Sequence, residues 1–301
     1  MSAWPVPALV LTAGLGTRLR PLTFLRAKPA LPVGDDPLIV HILRGLAAQG
    51  VRDAVLNLHY KPESVARAVG DGTGTGLRVR YTWEQPRVLG SAGGIRHALP
   101  LIEGETLLVV NGDSLCDLPV RALVEAHFDR HAAVTLGLMP HPVAGKYGGV
   151  QVTANGRVAG FTRRDAAEPS WHFPGIQVVQ RDVFAHLPDD EPAESIGGLY
   201  PALMRTSPEA VRGHVCEARW LDVGTVDDYR ATCAAVASDA DGNTIASTAR
   251  VAPDAHLRET IVWPGAQVGA ACRLTRCVVT DTAVVAPGTV ATDEFFSSAS
   301  C

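Results

Sequence analysis

Short apolar runs recur along the first 110 residues, and segments with helical periodicity separate them. Residues 8–11 (ALVL) and 106–110 (TLLVV) are almost wholly apolar, which is typical of strands buried in a parallel sheet. Residues 38–50 have the spacing of an amphipathic helix that ends at a glycine, and residues 62–69 begin with Pro and Glu, as a helical first turn does. This alternation predicts a doubly wound α/β domain that binds ligands at the carboxyl ends of its strands.

The middle of the chain has a different pattern from the alternating part before it. In the alternating part, residues 51–58 and 77–83 are predicted to be further strands of the main sheet. Residues 132–181 alternate short strands with turns instead of helices. This pattern predicts an antiparallel ribbon inserted into the parallel sheet, so that the α/β sheet is mixed.

From residue 245 onward, single aliphatic residues recur at intervals of five or six. The positions are Ile245, Val251, Leu257, Val262, Val268, Leu274, Val279 and Val285. The segment therefore repeats every 17 residues, which predicts a small left-handed parallel β-helix of about three coils. So short a stack is expected to dock on the preceding domain or on a second copy of the chain, forming a homo-oligomer. The predicted domains are residues 1–236 and residues 237–301.

The first strand leads into a glycine-rich turn. Gly14 and Gly16 let main-chain N–H groups approach an anion without a Cβ in the way. Arg18 stands beside those amides and is suited to forked phosphate contacts. Ten residues on, Lys28 lies in a proline-containing segment that disfavours a helix. Amides and two cations together predict a binding site for a triphosphate.

The turn matches neither of the two common phosphate-binding motifs. A Walker loop requires GxxxxGK followed by Ser or Thr, and that string does not occur in the chain. The dinucleotide fingerprint requires a third glycine where this chain has Leu19. An ordinary turn between a strand and a loop is the alternative for any isolated GxG string.

Composition and charge exclude several classes of protein. The 301 residues carry a net charge of −4 with a pI near 6.2, so no basic field for nucleic acid is present. No apolar stretch is long enough to span a membrane. The six cysteines are scattered without a CxxC pair, so the sequence indicates neither a disulfide framework nor a zinc site. This use of cysteine favours a reducing, cytoplasmic setting for the protein. The cysteines are Cys116, Cys216, Cys233, Cys272, Cys277 and Cys301.

The strings GLGTRLRPLT (residues 14–23) and KPALPV (residues 28–33) resemble the signature of the sugar-1-phosphate nucleotidylyltransferases. Two acidic motifs, NGD ending at Asp113 and WLDVGT containing Asp222, occur in the family's order. An acid at the carboxyl edge of a strand suits Mg²⁺ bound to a triphosphate, although by spacing alone an Asp-containing turn is the better interpretation. The resemblance implies that Asp113 and Asp222 are the ligands of the Mg²⁺ cofactor.

The same resemblance implies roles for further residues. Arg18 would contact the pyrophosphate leaving group, and Lys28 the α-phosphate or the incoming phosphate. The implied nucleotide-binding residues are Leu11, Thr12, Ala13, Gly14, Gly16, Thr17, Gln85 and Gly90.

The sugar-phosphate pocket is implied at Gly148, Arg164 and Gly175, within pieces that are similar to the family's YGV and GIY. The chain departs from the family where many members carry Glu-Lys-Pro, because it has Arg163, Arg164 and Asp165 there. Either arginine is a candidate to replace the lysine, and a solvated strand end is the alternative for both.

The implied reaction joins an NTP and a sugar 1-phosphate to give an NDP-sugar and pyrophosphate. The sequence of residues 14–33 resembles mannose-1-phosphate guanylyltransferases most, which favours GTP and mannose 1-phosphate as the substrates. UTP or dTTP with N-acetylmuramate, heptose or glucose 1-phosphate is the alternative, because residues 88–113 also resemble those enzymes.

Two other classes of function compete with an active nucleotidylyltransferase. A catalytically silent regulatory relative would keep both domains, but it would be free to lose Arg18, Lys28, Asp113 or Asp222, and all four are present. A hexapeptide acyltransferase would use the β-helix, which has few coils and no clearly placed catalytic His. His127 and His131 lie four residues apart on a predicted helix, where a packed or solvated pair is a better interpretation than a metal site.

Overall fold

The computed structural model describes residues 6–298, so Cys301 lies outside the described residues. Seven α-helices occur in this range. They are Leu38–Ala48 (α1), Pro62–Val69 (α2), Gly90–Ala98 (α3), Val120–Asp129 (α4), Asp182–Ala185 (α5), Tyr200–Thr206 (α6) and Val226–Ala237 (α7). None of the helices between residues 6 and 298 combines the length and the apolar character that crossing a bilayer requires.

Seven strands form the main sheet, which is the predicted mixed, Rossmann-like sheet. They are Ala8–Leu11 (β1), Asp53–Leu58 (β2), Arg78–Trp83 (β3), Thr106–Asn111 (β4), Val134–Leu138 (β5), Ile176–Gln180 (β6) and Val211–Val215 (β7). Their order is β7-β5-β6-β4-β1-β2-β3. The interior strand β1 runs parallel to β2 and β4, and β6 runs antiparallel to β4 and β5. Buried Leu9, Leu107 and Val109 pack with residues of α3, α5 and α6.

The middle of the chain contributes more to the main sheet than the sequence predicts. Both β5 and β6 lie in the seven-stranded sheet, because their apolar residues are buried on both faces. A separate antiparallel ribbon is formed by Gly149–Val152 and Val158–Thr162. The inserted ribbon is therefore shorter than expected from the alternation of residues 132–181.

The described residues pack into two compact units. The first consists of residues 6–15 and 39–220, and the second of residues 16–38 and 221–298. The second unit is thus discontinuous in sequence, and it takes in residues 16–38, the signature loop. These units follow packing within the chain, and the predicted domains 1–236 and 237–301 stay a prediction.

The first unit contains the main sheet with α2–α6, and the second contains the signature loop, α7 and the C-terminal repeats. Outside the main sheet and the repeats, short strands are found at Pro32–Val33, Asp36–Pro37, Ser114–Cys116, Gly149–Val152, Val158–Thr162 and Trp220–Asp222. In the signature loop, Pro32–Val33 and Asp36–Pro37 pair as a small antiparallel hairpin.

Ten short strands form the predicted left-handed parallel β-helix. They are Thr244–Ile245, Arg250–Val251, His256–Arg258, Ile261–Val262, Gln267–Val268, Arg273–Thr275, Val278–Val279, Val284–Val285, Val290–Thr292 and Phe295–Phe296. Ile245, Val262 and Val279 are in register on one face of the stack, and Val251 with Val268 on another. The 17-residue repeat inferred from the sequence is therefore the length of one coil.

His127 of α4 is a buried core residue with satisfied ring nitrogens. Its Nδ1 lies 2.9 Å from Thr135 Oγ1, and its Nε2 lies 2.8 Å from Gln180 Nε2. His131 is exposed and has a left-handed backbone conformation, so it does not share this environment. Burial lowers the pKa of His127 to about 4 from its usual 6.5.

This lowered pKa predicts that stability falls on acidification. Below pH 6.5 the unfolded chain binds a proton at His127, whereas the folded protein resists protonation until about pH 4. His127 should therefore lower the free energy of unfolding by roughly 2 kcal/mol between pH 7 and pH 5. Urea unfolding at both pH values should show a smaller difference for His127→Gln than for the wild type. The matched control His131→Gln should keep the wild-type difference, and equal pH dependence in all three proteins would contradict the assignment.

Candidate active site

The carboxyl ends of three parallel strands in the first unit are tied together by one hydrogen-bond network. After β1, the Thr12 N–H donates to Asn57 Oδ1 at 2.6 Å, and the Thr12 hydroxyl donates to the Asn57 carbonyl. Asn57 Nδ2 in turn donates to Glu84 Oε1 at 2.6 Å. The other oxygen of Glu84 accepts the Leu89 N–H at 2.7 Å, just before α3. The network fixes the turn after β1, where the nucleotide-binding residues are predicted.

Asn57 and Glu84 were not singled out from the sequence. Both are almost wholly buried at the ends of β2 and β3. Buried polar side chains need hydrogen-bond partners, and the network supplies them. A polar residue at the carboxyl end of each strand is the sequence signal that would have indicated them. Gln85, which was predicted to contact the nucleotide, follows Glu84 and is exposed.

Gly90 opens α3 in a conformation that favours glycine, with φ of +72°. A Cβ at this position would lie 2.6 Å from Glu194 Oε1 and 2.7 Å from the Ala193 carbonyl oxygen. The Ala92 and Gly93 N–H groups, at the start of the same helix, both donate to that carbonyl oxygen. Gly90 is therefore required by close packing against residues 193–194, whatever else it contacts.

Asp113 lies just beyond the carboxyl end of β4, on the same sheet edge as Gly175. Gly175 has φ of +84° and packs on the side chain of Asn111. The backbone N–H of Asn111 donates to the Gly175 carbonyl oxygen at 2.8 Å. Gly112 packs against the turn after β1, because its N–H donates to the Leu11 carbonyl oxygen at 2.9 Å. The first unit thus brings three predicted positions together at one edge: the end of β1, Asp113 and Gly175.

Gly148 is pressed against the end of the ribbon strand that precedes Arg163 and Arg164. A Cβ on Gly148 would lie 2.6 Å from the Thr162 carbonyl oxygen and 3.8 Å from the Arg164 backbone nitrogen. The structure therefore places two predicted sugar-phosphate positions, Gly148 and Arg164, side by side. The side chains of Arg163 and Arg164 are both exposed, so burial does not distinguish between them.

A cluster of aromatic rings adjoins Gly148 and was not predicted. Tyr147 lies 5.0 Å from both His172 and Trp220, and the His172 and Trp220 rings are 4.4 Å apart between centroids. Burial, together with the nearby His141, lowers the pKa of His172 to about 4, so its ring is neutral at pH 7. Tyr147 and Trp220 stand in motifs that the sequence singled out and His172 does not, and the three rings come from separate segments.

The second unit contains the signature loop and its two predicted cations. Gly16 has a left-handed conformation with φ of +60°, and its carbonyl oxygen accepts the Thr23 hydroxyl at 2.9 Å. A Cβ on Gly16 would lie 3.3 Å from the Cβ of Lys28, so the chain folds back and brings Lys28 to the glycine turn. Lys28 is 8% exposed, whereas Thr17 and Arg18 are exposed.

The prolines around Lys28 do not leave the segment fully extended. Lys28–Ala30 forms a single 3-10 turn, and the backbone becomes extended again at Leu31. Proline is compatible with the first positions of a helical turn but cannot continue one, so the turn ends after three residues. The segment contains no α-helix, but it does form one helical turn where the prolines were expected to disfavour a helix.

Asp222 belongs to the second unit, where it ends the strand Trp220–Asp222 near a second carboxylate. A Cβ on Gly224 would lie 2.7 Å from Asp222 Oδ2 and 3.2 Å from Asp228 Oδ2. Thr225 caps α7 by accepting the Asp228 N–H at 3.2 Å and donates its hydroxyl to Asp228 Oδ2 at 2.8 Å. Asp228 was not predicted, but its place three residues after a Thr cap resembles a capping box and was a usable signal.

Comparison with known proteins gives a family for this arrangement. The family model of the nucleotidyl transferases matches residues 7–239. The mannose-1-phosphate guanylyltransferase of Mycobacterium tuberculosis is 31% identical over 96% of the chain and 84% of that relative. The N-acetylmuramate α-1-phosphate uridylyltransferase of Neisseria meningitidis is 33% identical over 73% of the chain and 93% of that relative.

A solved structure shares the fold at low sequence identity. HddC from Yersinia pseudotuberculosis, crystallised in complex with GMP-PN, aligns with a TM-score of 0.65 at 22% identity. The alignment covers 76% of this chain and 98% of that protein. With a family model matching more than half of its length and a relative above 30% identity along nearly all of it, the chain belongs to the nucleotidyl transferase family.

Proposed function

We propose that the protein transfers a nucleoside monophosphate from an NTP to a sugar 1-phosphate. A phosphate oxygen of the sugar 1-phosphate attacks the α-phosphorus of the NTP, and the bond from that phosphorus to the bridging oxygen of the β-phosphate breaks. The products are an NDP-sugar and pyrophosphate. The observation that carries the proposal is the buried Lys28 folded back on the Gly16 turn, in a chain of this family.

The nucleophile of this reaction is already an anion, so no general base is needed. The barrier comes from bringing two anions together and from the charge that develops at the α-phosphate and on the leaving group. Lys28 is proposed to contact the α-phosphate or the incoming phosphate, and its burial strengthens that interaction because water is excluded. Exposed Arg18 is proposed to contact the pyrophosphate that leaves.

Asp113 and Asp222 are proposed to hold Mg²⁺. Their carboxylates suit that ion, since Mg²⁺ prefers oxygen ligands and is commonly held by one or two carboxylates together with phosphate oxygens. Gly112 precedes Asp113, and Gly224 follows Asp222 by two residues. A side chain at Gly224 would crowd the Asp222 carboxylate. When bound, Mg²⁺ would neutralise charge on the phosphate oxygens of both reactants.

The remaining predicted residues divide between the nucleotide and the sugar phosphate. Leu11, Thr12, Ala13, Gly14, Gly16, Thr17, Gln85 and Gly90 are proposed to contact the nucleotide. The network of Thr12, Asn57 and Glu84 supports that proposal, because it holds the turn after β1 in one conformation. Gly148, Arg164 and Gly175 are proposed to contact the sugar phosphate, with Arg164 supplying the positive charge that other members obtain from lysine.

GTP and mannose 1-phosphate are the proposed substrates. The similarity to the mannose-1-phosphate guanylyltransferase of Mycobacterium tuberculosis along 96% of the chain, including the C-terminal repeats, supports this choice. The second candidate is UTP or dTTP with another sugar 1-phosphate, which the 33% identity to the uridylyltransferase of Neisseria meningitidis favours.

The setting of the reaction is proposed to be the cytoplasm, with the β-helix as the contact in a homo-oligomer. The five cysteines within residues 6–298 are free thiols, as is usual in a reducing compartment. Val284 and Val290 of the β-helix are 67% and 74% exposed, which favours a covering partner copy. Detection of the protein outside the cytoplasm, or a monomer in sedimentation, would contradict the respective proposal.

A panel of NTPs against sugar 1-phosphates tests the function as a whole. The panel pairs GTP, UTP, dTTP and ATP with the 1-phosphates of mannose, glucose, heptose and N-acetylmuramate, and the release of pyrophosphate is measured. We expect GTP with mannose 1-phosphate to give the highest kcat/KM. A preference for UTP or dTTP would support the second candidate, and no release with any pair would indicate a catalytically silent relative.

Replacement of Lys28 tests the proposed phosphate contact. Lys28→Ala should lower kcat by about 10²- to 10³-fold, because a fixed positive charge is removed from the transferring phosphate. Far-UV circular dichroism should be unchanged, and the control Arg67→Ala, on the exposed side of α2, should retain full turnover. Near-normal turnover of the Lys28 variant would show that this lysine has no part in the chemistry.

Replacement of the two acids tests the proposed ligands of Mg²⁺. In Asp113→Asn and in Asp222→Asn, the Mg²⁺ concentration that gives half-maximal rate should rise about tenfold or more, because each loses an anionic ligand. The rate is measured over a Mg²⁺ titration, with Asp129→Asn at the exposed end of α4 as the control. If both variants follow the wild-type titration curve, these residues do not hold the ion.

A further inference from the structure

The part of the signature loop that contains Lys28 is bound at three points by the C-terminal segment of the same unit. Arg26 forms an ion pair with Asp281 of the β-helix. The Pro32 carbonyl oxygen accepts the Tyr229 hydroxyl of α7 at 2.5 Å. Asp35 Oδ1 accepts the Ser247 N–H at 2.6 Å. The first two contacts stand on either side of Lys28 in the sequence.

Two of these contacts belong to one continuous chain of side chains. The Arg26 guanidinium lies 5.3 Å from the centroid of the Trp263 ring, within the range of a cation–π interaction. Trp263 Nε1–H donates to the Tyr229 hydroxyl at 2.9 Å, and that hydroxyl donates to Pro32. Trp263 is 1% exposed and Tyr229 is fully buried. Lys28 is thus bracketed by a buried path that runs from Arg26 to Pro32 through the β-helix and α7.

The β-helix presents the two residues that meet Arg26 from successive coils. Ile261–Val262 pairs in parallel with Val278–Val279, and the Trp263 N–H donates to the Val279 carbonyl oxygen at 2.8 Å. Trp263 therefore stands one residue after its strand, and Asp281 two residues after the strand of the next coil. Arg26 lies over the ring from one coil and against the carboxylate from the other, so its position depends on the stacking of both.

We propose that the β-helix is a positioning element for the transfer reaction, with Arg26 and Asp281 as positioning residues that hold Lys28 in place. This inference rests on the function proposed for Lys28. It assigns the C-terminal repeats a part in the chemistry, in addition to any part in assembly. Neither Arg26 nor Asp281 is placed in contact with substrate.

The ion pair of Arg26 and Asp281 is expected to affect the position of the loop more than the stability of the fold. Burial raises the pKa of Asp281 above its usual 3.8 even though the Arg26 charge acts in the opposite direction. Its Oδ1 is also buried without a hydrogen-bond partner. Desolvation therefore offsets much of the attraction between the two charges, and the pair contributes little net stability. Loss of the Asp281 charge should alter the placement of the loop more than the free energy of unfolding.

A double-mutant cycle on kcat tests the proposal. Asp281→Asn and Arg26→Gln should each lower kcat by about tenfold, because a displacement well below 1 Å at the reacting groups costs that much. The KM values for both substrates should stay within about twofold of wild type, and urea unfolding of Asp281→Asn should change little. The double variant should be no slower than the slower single variant, since both remove the same interaction.

Matched variants separate positioning from a merely structural effect. Asp281→Glu keeps the charge and should restore most of the lost kcat. Asp254→Asn removes an exposed carboxylate from another turn of the β-helix and should leave kcat at the wild-type value. Unchanged kcat in Asp281→Asn and Arg26→Gln, additive losses in the double variant, or losses that follow the unfolded fraction would overturn the proposal.

Failure of this inference can be told apart from failure of the proposed function. If Lys28→Ala is inactive while Asp281→Asn turns over normally, Lys28 acts without support from the β-helix and only the positioning proposal is wrong. If Lys28→Ala itself turns over normally, the role of Lys28 is wrong, and the positioning proposal is overturned with it.

Discussion

The chain leaves the main-sheet unit at residue 16 and re-enters it at residue 39, and the packing of the intervening loop is the constraint on which the rest depends. The loop is built from three 3-10 turns and a hairpin of two short strands, and its residues Leu19, Leu22 and Leu31 are buried. Its conformation is set by contacts with Tyr229, Trp263 and Asp281 of the C-terminal segment. The distance in sequence between the loop and these partners exceeds 190 residues.

In the first unit, polar groups at the carboxyl ends of the parallel strands are likewise held in place by residues far away in the sequence. Thr12, Asn57 and Glu84 are buried, and each would be costly to leave without partners. Their mutual hydrogen bonds remove that cost and at the same time give the turn after β1 one conformation. A turn fixed in this way can present backbone amides to a phosphate without the cost of ordering them when the ligand binds.

The C-terminal repeats combine two uses of one geometry. Aliphatic residues at every fifth or sixth position fill the interior of the stack, where Val262, Val268 and Val279 are buried. The corners between the strands are then free to vary, and Trp263 and Asp281 occupy such corners. A repeat that is regular inside can therefore carry particular contacts outside without loss of its core.

The family, the alternation of strands and helices and the 17-residue coil were all determined by the sequence. Each depends on residues close together in the chain: GLGTRLRPLT is one uninterrupted string, and the positions of Ile245, Val262 and Val279 differ by a fixed interval. The period of the apolar residues and the positions of the turn residues are local properties, so they can be identified in the sequence without knowledge of tertiary contacts. Even so, β5 and β6 show the limit of such patterns, because a strand does not reveal from its own residues which sheet it will join.

Tertiary structure alone decided which residues support the predicted site. Asn57 and Glu84, the aromatic cluster of Tyr147, His172 and Trp220, and the path from Arg26 to Pro32 come from segments far apart in the sequence. Nothing in an isolated Trp263 or Asp281 indicates that it will meet Arg26, because the meeting requires two coils to stack and a loop to fold back on them. Burial and partnership depend on the whole packed chain, and local sequence determines neither.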